Sequence, residues 1–156
     1  MVKNNEIAKF LLVIIFAVTI IYFGYWGYEW VNYVLSKMFS VATDSTFFDL
    51  LVGLVAMVSS IPLFVGSILA WRDNTKAMPW LTIGSAGFVL KNFFEIANII
   101  FKLSLQTSVV ASDIRSASSD MGQQLFQIAF WVFVMIYFRK LIAKANATPA
   151  NTITIQ

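Results

Sequence analysis

The sequence predicts an all-α protein, an integral membrane bundle of four transmembrane helices with both termini in the cytoplasm. Hydrophobic residues make up 59% of the 156 residues and charged residues only 12%, which is about half the charge of an average globular domain. The apolar residues lie in long uncharged runs, and runs of about 20 residues are long enough to cross a bilayer core as helices. The mean hydropathy of +0.77 supports the same class.

The first two predicted helices are the most hydrophobic. The first, over 10–34, begins with nineteen residues that carry no formal charge, and its apolar pattern continues at helical spacing to residue 40. The second, over 50–71, is uncharged and is interrupted only by one proline, which transmembrane helices tolerate because neighbouring groups satisfy the freed carbonyl. Thr46 and Asp49 have the spacing of a capping box and are expected to begin the second helix.

The third and fourth predicted helices are more polar. The third, over 79–101, starts at Pro79, which suits a first turn because it has no N–H to leave unpaired. The fourth, over 121–138, is uncharged but begins with three glutamines close together. Ser119 and Asp120 precede this helix and are expected to supply its N-cap and a favourable charge.

The four helices are predicted to form a single domain over residues 1–144. The short polar segment 72–78 should join the second and third helices as an antiparallel hairpin. Residues 103–120 form a longer, Ser-rich connection that contains no proline or glycine. The tail over 145–156 is uncharged and rich in Thr, Asn and Ala, and we expect it to be disordered.

The basic residues predict the orientation. One set of flanks contains seven basic and two acidic residues, and the opposite set contains three basic and five acidic residues. Because the more basic side of a membrane protein remains in the cytoplasm, both termini and the 72–78 segment are expected there. The net charge of +3 therefore reports topology, and without an aromatic-interleaved basic patch it indicates no nucleic-acid partner. The first basic set is Lys3, Lys9, Arg72, Lys76, Arg139, Lys140 and Lys144, and the second is Lys37, Lys102 and Arg115.

The residue types that are missing exclude several chemistries. The chain has no Cys and no His, which excludes disulfides, thiolate or His-bound metal sites, His-ligated haem and catalytic triads with a His base. We expect no cofactor, no metal and no enzymatic activity. Asp113, Ser116 and Asp120 are the nearest arrangement to a catalytic site, and we interpret these side chains in the Ser-rich connection as solvated caps.

The candidate site is a polar stripe on the third helix. Lys91 and Glu95 are spaced i,i+4 and can pair, and Asn98 extends the stripe. A central Lys costs about 2.5–3.5 kcal/mol in a membrane helix, so the stripe should face the bundle interior, where Gln123 and Gln127 of the fourth helix offer partners. Two interpretations stay open: a self-satisfied network that specifies helix packing, or a polar path or substrate pocket, since ionisable groups inside a membrane are functional by default.

Small residues predict where the second and third helices pack. Such residues let the backbones of transmembrane helices approach closely. The second helix presents them approximately on one face, with Ser59 and Gly66 adjacent to that face. The predicted packing residues are Gly53, Ala56, Ser60 and Ser67 on the second helix and Gly84 and Gly87 on the third.

Two segments carry a resemblance to a known family. They are the hairpin Trp71-Arg72-Asp73-Asn74-Thr75-Lys76-Ala77-Met78-Pro79-Trp80-Leu81 and the ending from Phe130-Trp131 to Tyr137-Phe138-Arg139-Lys140. Here, over about the C-terminal half, the chain resembles an uncharacterised bacterial family of small four-helix inner-membrane proteins. It departs from that family where a Gly-Gly-Trp-Leu-like opening and a Ser in the final basic patch are usual. The resemblance implies the same architecture in a bacterial inner membrane, and it carries over no catalytic residue.

These features predict a multi-pass membrane protein whose partners are the lipid bilayer and either another membrane protein or a second copy of the chain. The first functional hypothesis is a non-enzymatic accessory, assembly or immunity-type protein that acts through its helix faces. The alternative is a small oligomeric transporter or channel that uses the polar stripe of the third helix.

Overall fold

The computed structural model describes residues 5–37, 45–106 and 110–147, and these residues form four α-helices and no β-strand. Each helix contains a segment long and apolar enough to cross a membrane. This result confirms the predicted all-α class and indicates a multi-pass membrane protein. The helices are α1 (Glu6–Lys37), α2 (Ser45–Trp71), α3 (Ala77–Ser104) and α4 (Ala111–Ala147).

The helices are longer than the predicted spans. The extension of α1 beyond residue 34 is present as far as Lys37, and the remainder of the predicted extension lies outside the described residues. Helix α2 begins at Ser45, so Thr46 lies inside the helix. The expected capping role of Asp49 is replaced by a contact with α3, because the Asp49 carboxylate accepts a hydrogen bond from a side chain there.

The start of α4 lies ten residues before the predicted position 121, at Ala111. The reason is a local capping arrangement: the backbone N–H of Val110 donates to Asp113 Oδ2 (3.2 Å), while the carbonyl of Val110 accepts the N–H groups of Asp113 and Ile114 (3.0 and 3.3 Å). This is one half of a capping box, with an acid that reaches back to the N-cap. The predicted cap at Ser119 and Asp120 is therefore wrong, since both are exposed residues inside α4.

The far end of α4 also differs from the prediction. The helix continues to Ala147, three residues into the segment expected to be disordered. The rest of that segment, 148–156, lies outside the described residues. At the start of α3 the difference is smaller: the helix begins at Ala77, and Pro79 is its third residue, still among the first four positions whose N–H has no helical partner.

A short turn between α2 and α3 reverses the chain. The N–H of Asn74 donates to the carbonyl of Leu69 (2.9 Å), and Asn74 Oδ1 accepts the N–H of Lys76 (2.9 Å). Asp73 has a φ of 55°, in the left-handed region that Asp tolerates better than most residues. The turn confirms the predicted antiparallel hairpin. We call this end of the bundle, which includes the start of α1 and the C-terminal part of α4, the turn end, and the opposite end the loop end.

The core of the turn-end half is apolar. Helix α1 packs on α2, α2 on α3 and α3 on α4, and Phe88 of α3 lies at the centre of the bundle, fully buried. Its ring contacts Tyr22 of α1 and Trp131 of α4, with centroids 5.1 and 4.7 Å away. Closer to the turn end, the hydroxyl of Tyr137 donates to Asn5 Oδ1 (3.0 Å) and ties α4 to α1. The cluster also contains Ala8, Leu11, Leu12, Ile15, Leu63, Ala70, Ala77, Leu81, Val134, Phe138 and Ile142.

Glycines bring α2 and α3 together. A Cβ atom added at Gly84 would lie 2.8 Å from the backbone nitrogen of Leu63, and one at Gly66 would lie 2.8 Å from that of Leu81. A Cβ at Gly87 would meet the side chain of Ser59. These close approaches explain why the sequence has no side chain at these positions.

The predicted packing face of α2 is divided between two neighbours. Gly53 and Ala56 are buried. Ser60 and Ser67 are also buried, but each hydroxyl donates to a carbonyl of its own helix (2.8 and 2.7 Å), and both residues line cavities shared with α1. The residues of α2 that meet the glycines of α3 include Ser59, which the sequence places beside the predicted face.

Candidate functional site

The loop-end half contains a cluster of polar side chains at the depth where an apolar core would be expected. It comprises an ion pair on α3, a half-exposed contact between α2 and α3, and buried amide groups on α3 and α4. We call this set the polar cluster. It consists of Asp49 of α2, Lys91, Asn92, Glu95, Asn98 and Lys102 of α3, and Gln124 of α4.

Lys91 is the most deeply buried charge of the polar cluster, with an exposed fraction of 2%. Its Nζ lies 2.6 Å from Glu95 Oε1 and donates to Asn92 Oδ1 at 3.2 Å. The ring of Tyr22 covers the same ammonium group, with its centroid 5.3 Å from Nζ and within reach of a cation–π interaction. The i,i+4 spacing on one helix thus produces an ion pair, and α1 shields it from outside the bundle.

A second contact, nearer the loop end, joins α2 to α3. Asn98 Nδ2 donates to Asp49 Oδ1 (2.7 Å), and Lys102 Nζ lies 3.2 Å from the same oxygen. The side chains of Asp49 and Lys102 are each 49% exposed, so their ion pair contributes less than about 1 kcal/mol. The buried Asn98, in contrast, makes a directional bond that fixes the axial register of the two helices.

Sequence reasoning missed the partnership of Asp49 and Asn98, although a signal for it exists. The two helices are antiparallel, and Gly66 lies against Leu81. Asp49 is seventeen residues before Gly66, and Asn98 is seventeen residues after Leu81. Once one contact of the hairpin is known, equal spacing therefore places the carboxylate opposite the amide.

The glutamines of α4 are arranged differently from the prediction. Gln123 is exposed and Gln127 is half-buried, and within the described part of the chain neither is hydrogen-bonded to Glu95 or Asn98. The glutamine that turns inward is Gln124, whose Oε1 is buried. The reason is rotation of the helix about its axis: Gln124 lies one heptad before Trp131, which packs on α3 through Phe88.

Several buried polar atoms of the polar cluster have no partner among the described residues. They are three acceptors, Glu95 Oε2, Asn98 Oδ1 and Gln124 Oε1, and one donor, Asn92 Nδ2. Nearly all buried polar groups in proteins are paired with protein or water. The polar cluster therefore has unused hydrogen-bonding capacity for three donors and one acceptor. Among the described residues, no group of three or more His, Cys, Asp or Glu side chains is placed to hold a metal ion.

Comparisons with protein-family models, with curated proteins and with solved structures found no match to this chain. The resemblance of the C-terminal half to a bacterial inner-membrane family therefore stays a prediction. The class of protein is defined by the fold alone: a four-helix bundle of membrane-spanning type with a polar cluster in one half of its core.

Proposed function

We propose that this chain is a multi-pass membrane protein without enzymatic activity, which acts as an accessory, assembly or immunity-type partner of another membrane protein. The turn end lies on the cytoplasmic side, because the described basic residues are concentrated there. The membrane is a bacterial inner membrane, as the resemblance implies.

One observation carries this proposal: the deeply buried charge is neutralised inside the bundle. Lys91 is enclosed by Glu95, Asn92 and the ring of Tyr22, and its exposed fraction of 2% leaves no face for a solute. A charge that conducts ions or protons has to meet a water-filled path. The charge is therefore satisfied within α3 and by Tyr22 of α1, and the surfaces free to act are the outward helix faces.

Two glycines mark where a partner helix contacts those faces. Among the described residues, no atom lies within 4 Å of a Cβ added at Gly27 of α1 or at Gly122 of α4, and the same holds for Gly24, three residues before Gly27. The space beside Gly84, in contrast, is occupied by Leu63 of α2. Glycine lowers helix propensity by about 1 kcal/mol relative to alanine, and in membranes it is used where another backbone approaches closely. Open glycines on α1 and α4 thus support a helix contact made outside the bundle.

The test is photocrosslinking of the full-length chain in its native membrane. A photoreactive residue one turn after either glycine, at Val31 or at Phe126, which are 57% and 74% exposed on the same helix faces, should give an adduct of one defined mass with another membrane protein. The same residue at Ile83, which is 61% exposed on α3, is the matched control and should not. Recovery of only the uncrosslinked monomer from all three positions would contradict the proposal, provided that solubilisation in mild detergent also yields the monomer alone.

Leucine substitutions separate partner binding from folding. Gly27→Leu and Gly122→Leu point into open space and should leave folding unchanged while the adduct is lost. Gly84→Leu should fail to fold, because its side chain would overlap Leu63. Retention of the adduct by both of the first two variants would exclude these glycines as the contact.

The unpaired atoms of the polar cluster favour a second candidate, a small oligomeric transporter or channel. Three acceptors and one donor without partners are what a site for a polar solute would contain. Purified protein in liposomes should then show solute flux, and the double variant Lys91→Met/Glu95→Leu should fold yet lose it. Absence of flux under varied ion and pH gradients would remove this candidate and leave the first one standing.

A further inference from the structure

A groove runs between α1 and α2 at the turn end. Its volume is ≈ 530 Å³, and it is lined by Leu12, Val13 and Phe16 of α1, by residues of α2 that include Phe64 and Ile68, and by Arg72, which directly follows α2. Ser67 also borders it, but the hydroxyl of Ser67 donates to the carbonyl of Leu63. The groove is thus apolar along its length and carries one cation, Arg72, at its end.

The groove follows from the side chains at the α1–α2 contact. Phe16 and Phe64 stack with their centroids 5.2 Å apart, which holds the two helices apart at that level. Below the stacked rings, the small side chain of Ser67 leaves the space open. Phe64 also lines a second cavity of ≈ 380 Å³ towards the loop end, which Ser60 borders, so apolar space lies on both sides of the aromatic pair.

The length of the groove matches one leaflet. From Arg72 to Phe64, α2 rises about 12 Å, and from Arg72 to Ser60 about 18 Å. Half of a bilayer core is about 15 Å. A groove that starts at an interfacial cation and extends inward by this distance has the dimensions of one extended acyl chain.

The end of the groove suits an anionic headgroup. The guanidinium of Arg presents a planar fork of donors that matches a phosphate, and Trp71, 51% exposed beside Arg72, is a residue type enriched at the membrane interface. Among the described residues, the turn end holds six basic side chains and two acidic ones, so the surrounding field is positive.

We propose that the groove binds one anionic phospholipid, with an acyl chain between α1 and α2 and the headgroup phosphate on Arg72. This site lies on a different part of the surface from Gly27 and Gly122. The inference goes beyond the proposed partner binding and does not depend on it, since a lipid can occupy the groove whether or not a protein partner exists.

The first experiment is native mass spectrometry of the full-length protein with phosphatidylglycerol or phosphatidylcholine. Wild type should retain one phosphatidylglycerol more strongly than phosphatidylcholine. Arg72→Gln should weaken phosphatidylglycerol binding at least about fivefold, because a basic residue at an anionic surface contributes about 1 kcal/mol, and Arg72→Lys should lose less. Arg139→Gln removes an exposed cation at the same end of the bundle and should change binding little.

Several outcomes would overturn the site. Equal losses in Arg72→Gln and Arg139→Gln would show diffuse attraction to the whole turn end. Binding of both lipids with equal strength would exclude recognition of the headgroup charge. Detection of a dimer without bound lipid would indicate that a second copy of the chain occupies the groove.

The second experiment needs no variant to fold. Wild-type protein is placed in vesicles of phosphatidylcholine that contain about one fifth phosphatidylglycerol. It is then labelled with a photoactivatable phosphatidylglycerol whose reactive group is on the acyl chain. Labelled peptides should map to the α1 and α2 residues of the groove. Labelling spread equally over the outer faces of α3 and α4 would contradict the proposal.

Discussion

The two halves of the bundle have opposite kinds of core. In the turn-end half, Phe88, Trp131 and their neighbours form a buried aromatic and aliphatic cluster. In the loop-end half, the same four helices enclose an ion pair, two asparagines and a glutamine, with buried atoms that have no partner among the described residues. Because packed apolar groups gain from every contact while a buried polar group must first recover its lost hydration, we expect the first half to supply more of the stability and the second half to specify how the helices align.

The boundary between the halves is one helical turn wide. Phe88 and Lys91 are three residues apart on α3, both are buried, and both contact Tyr22. Tyr22 presents its ring edge-on to Phe88 and lies near the ammonium group of Lys91. The ring of Tyr22 therefore packs against both cores. Substitutions on either side of this ring compare how much each half contributes to the free energy of unfolding.

The largest expected effect is in the apolar half. Phe88→Ala removes a fully buried ring and should lower the free energy of unfolding by about 3–5 kcal/mol. Unfolding in mixed micelles by denaturant measures it, with Phe93→Ala as the control, since Phe93 is 55% exposed on the same helix. Similar losses in the two variants would mean that the turn-end core does not dominate stability.

The next effect tests the polar half. Glu95→Leu leaves Lys91 buried without its counter-ion, so it should cost about 3–4 kcal/mol. Lys91→Met should cost less, because Glu95 is 19% exposed and can reach solvent or headgroups. The double variant should be close to wild type, since well-packed apolar replacements of a buried ion pair are often neutral.

The same unfolding measurement distinguishes pairing from independent roles. Additive losses in the double variant would contradict the compensation of Lys91 by Glu95. A double variant that folds as well as wild type would show that the polar half is not required for stability. Because the double variant would then be folded, a loss of flux or of crosslinking in it would report on function and not on misfolding.

A smaller effect concerns the glycines. Gly84→Ala places a methyl group against Leu63 and should cost about 1–3 kcal/mol through overpacking. Gly122→Ala has open space and should be neutral or stabilising by up to about 1 kcal/mol, because alanine is the better helix former. Thermal unfolding in detergent compares the two. A greater loss of stability in Gly122→Ala than in Gly84→Ala would contradict the open surroundings of Gly122.

The smallest effect is at the loop-end rim. Asp49→Asn weakens the contact with Lys102 but keeps an acceptor for Asn98, and since the ion pair is half-exposed the loss should be about 0.2–1 kcal/mol. The loss of stability caused by Asp49→Asn should become smaller in high salt, because salt screens the half-exposed ion pair. A loss of several kcal/mol would mean that the contact of Asp49 is as important for stability as the buried pair of Lys91 and Glu95.

The sequence by itself determined the elements and one feature of the site. Long uncharged runs predict four helices because a chain in hydrocarbon has to satisfy its own backbone hydrogen bonds. The spacing of Lys91 and Glu95 brings their side chains together because residues four apart share a helix face, whatever the neighbours are. Both inferences depend only on local geometry.

Only the tertiary structure decided how each helix is rotated about its axis. Helices that are apolar on most sides, such as α1 and α4, expose large hydrophobic residues and bury others of the same type, so no local pattern distinguishes the inner face. The packing of Trp131 on Phe88 turned Gln124 inward and left Gln123 outside, and the glycine contacts of α2 with α3 brought Asp49 to Asn98. Rotation and register depend on how complete surfaces fit together, and that information is distributed over residues far apart in the chain.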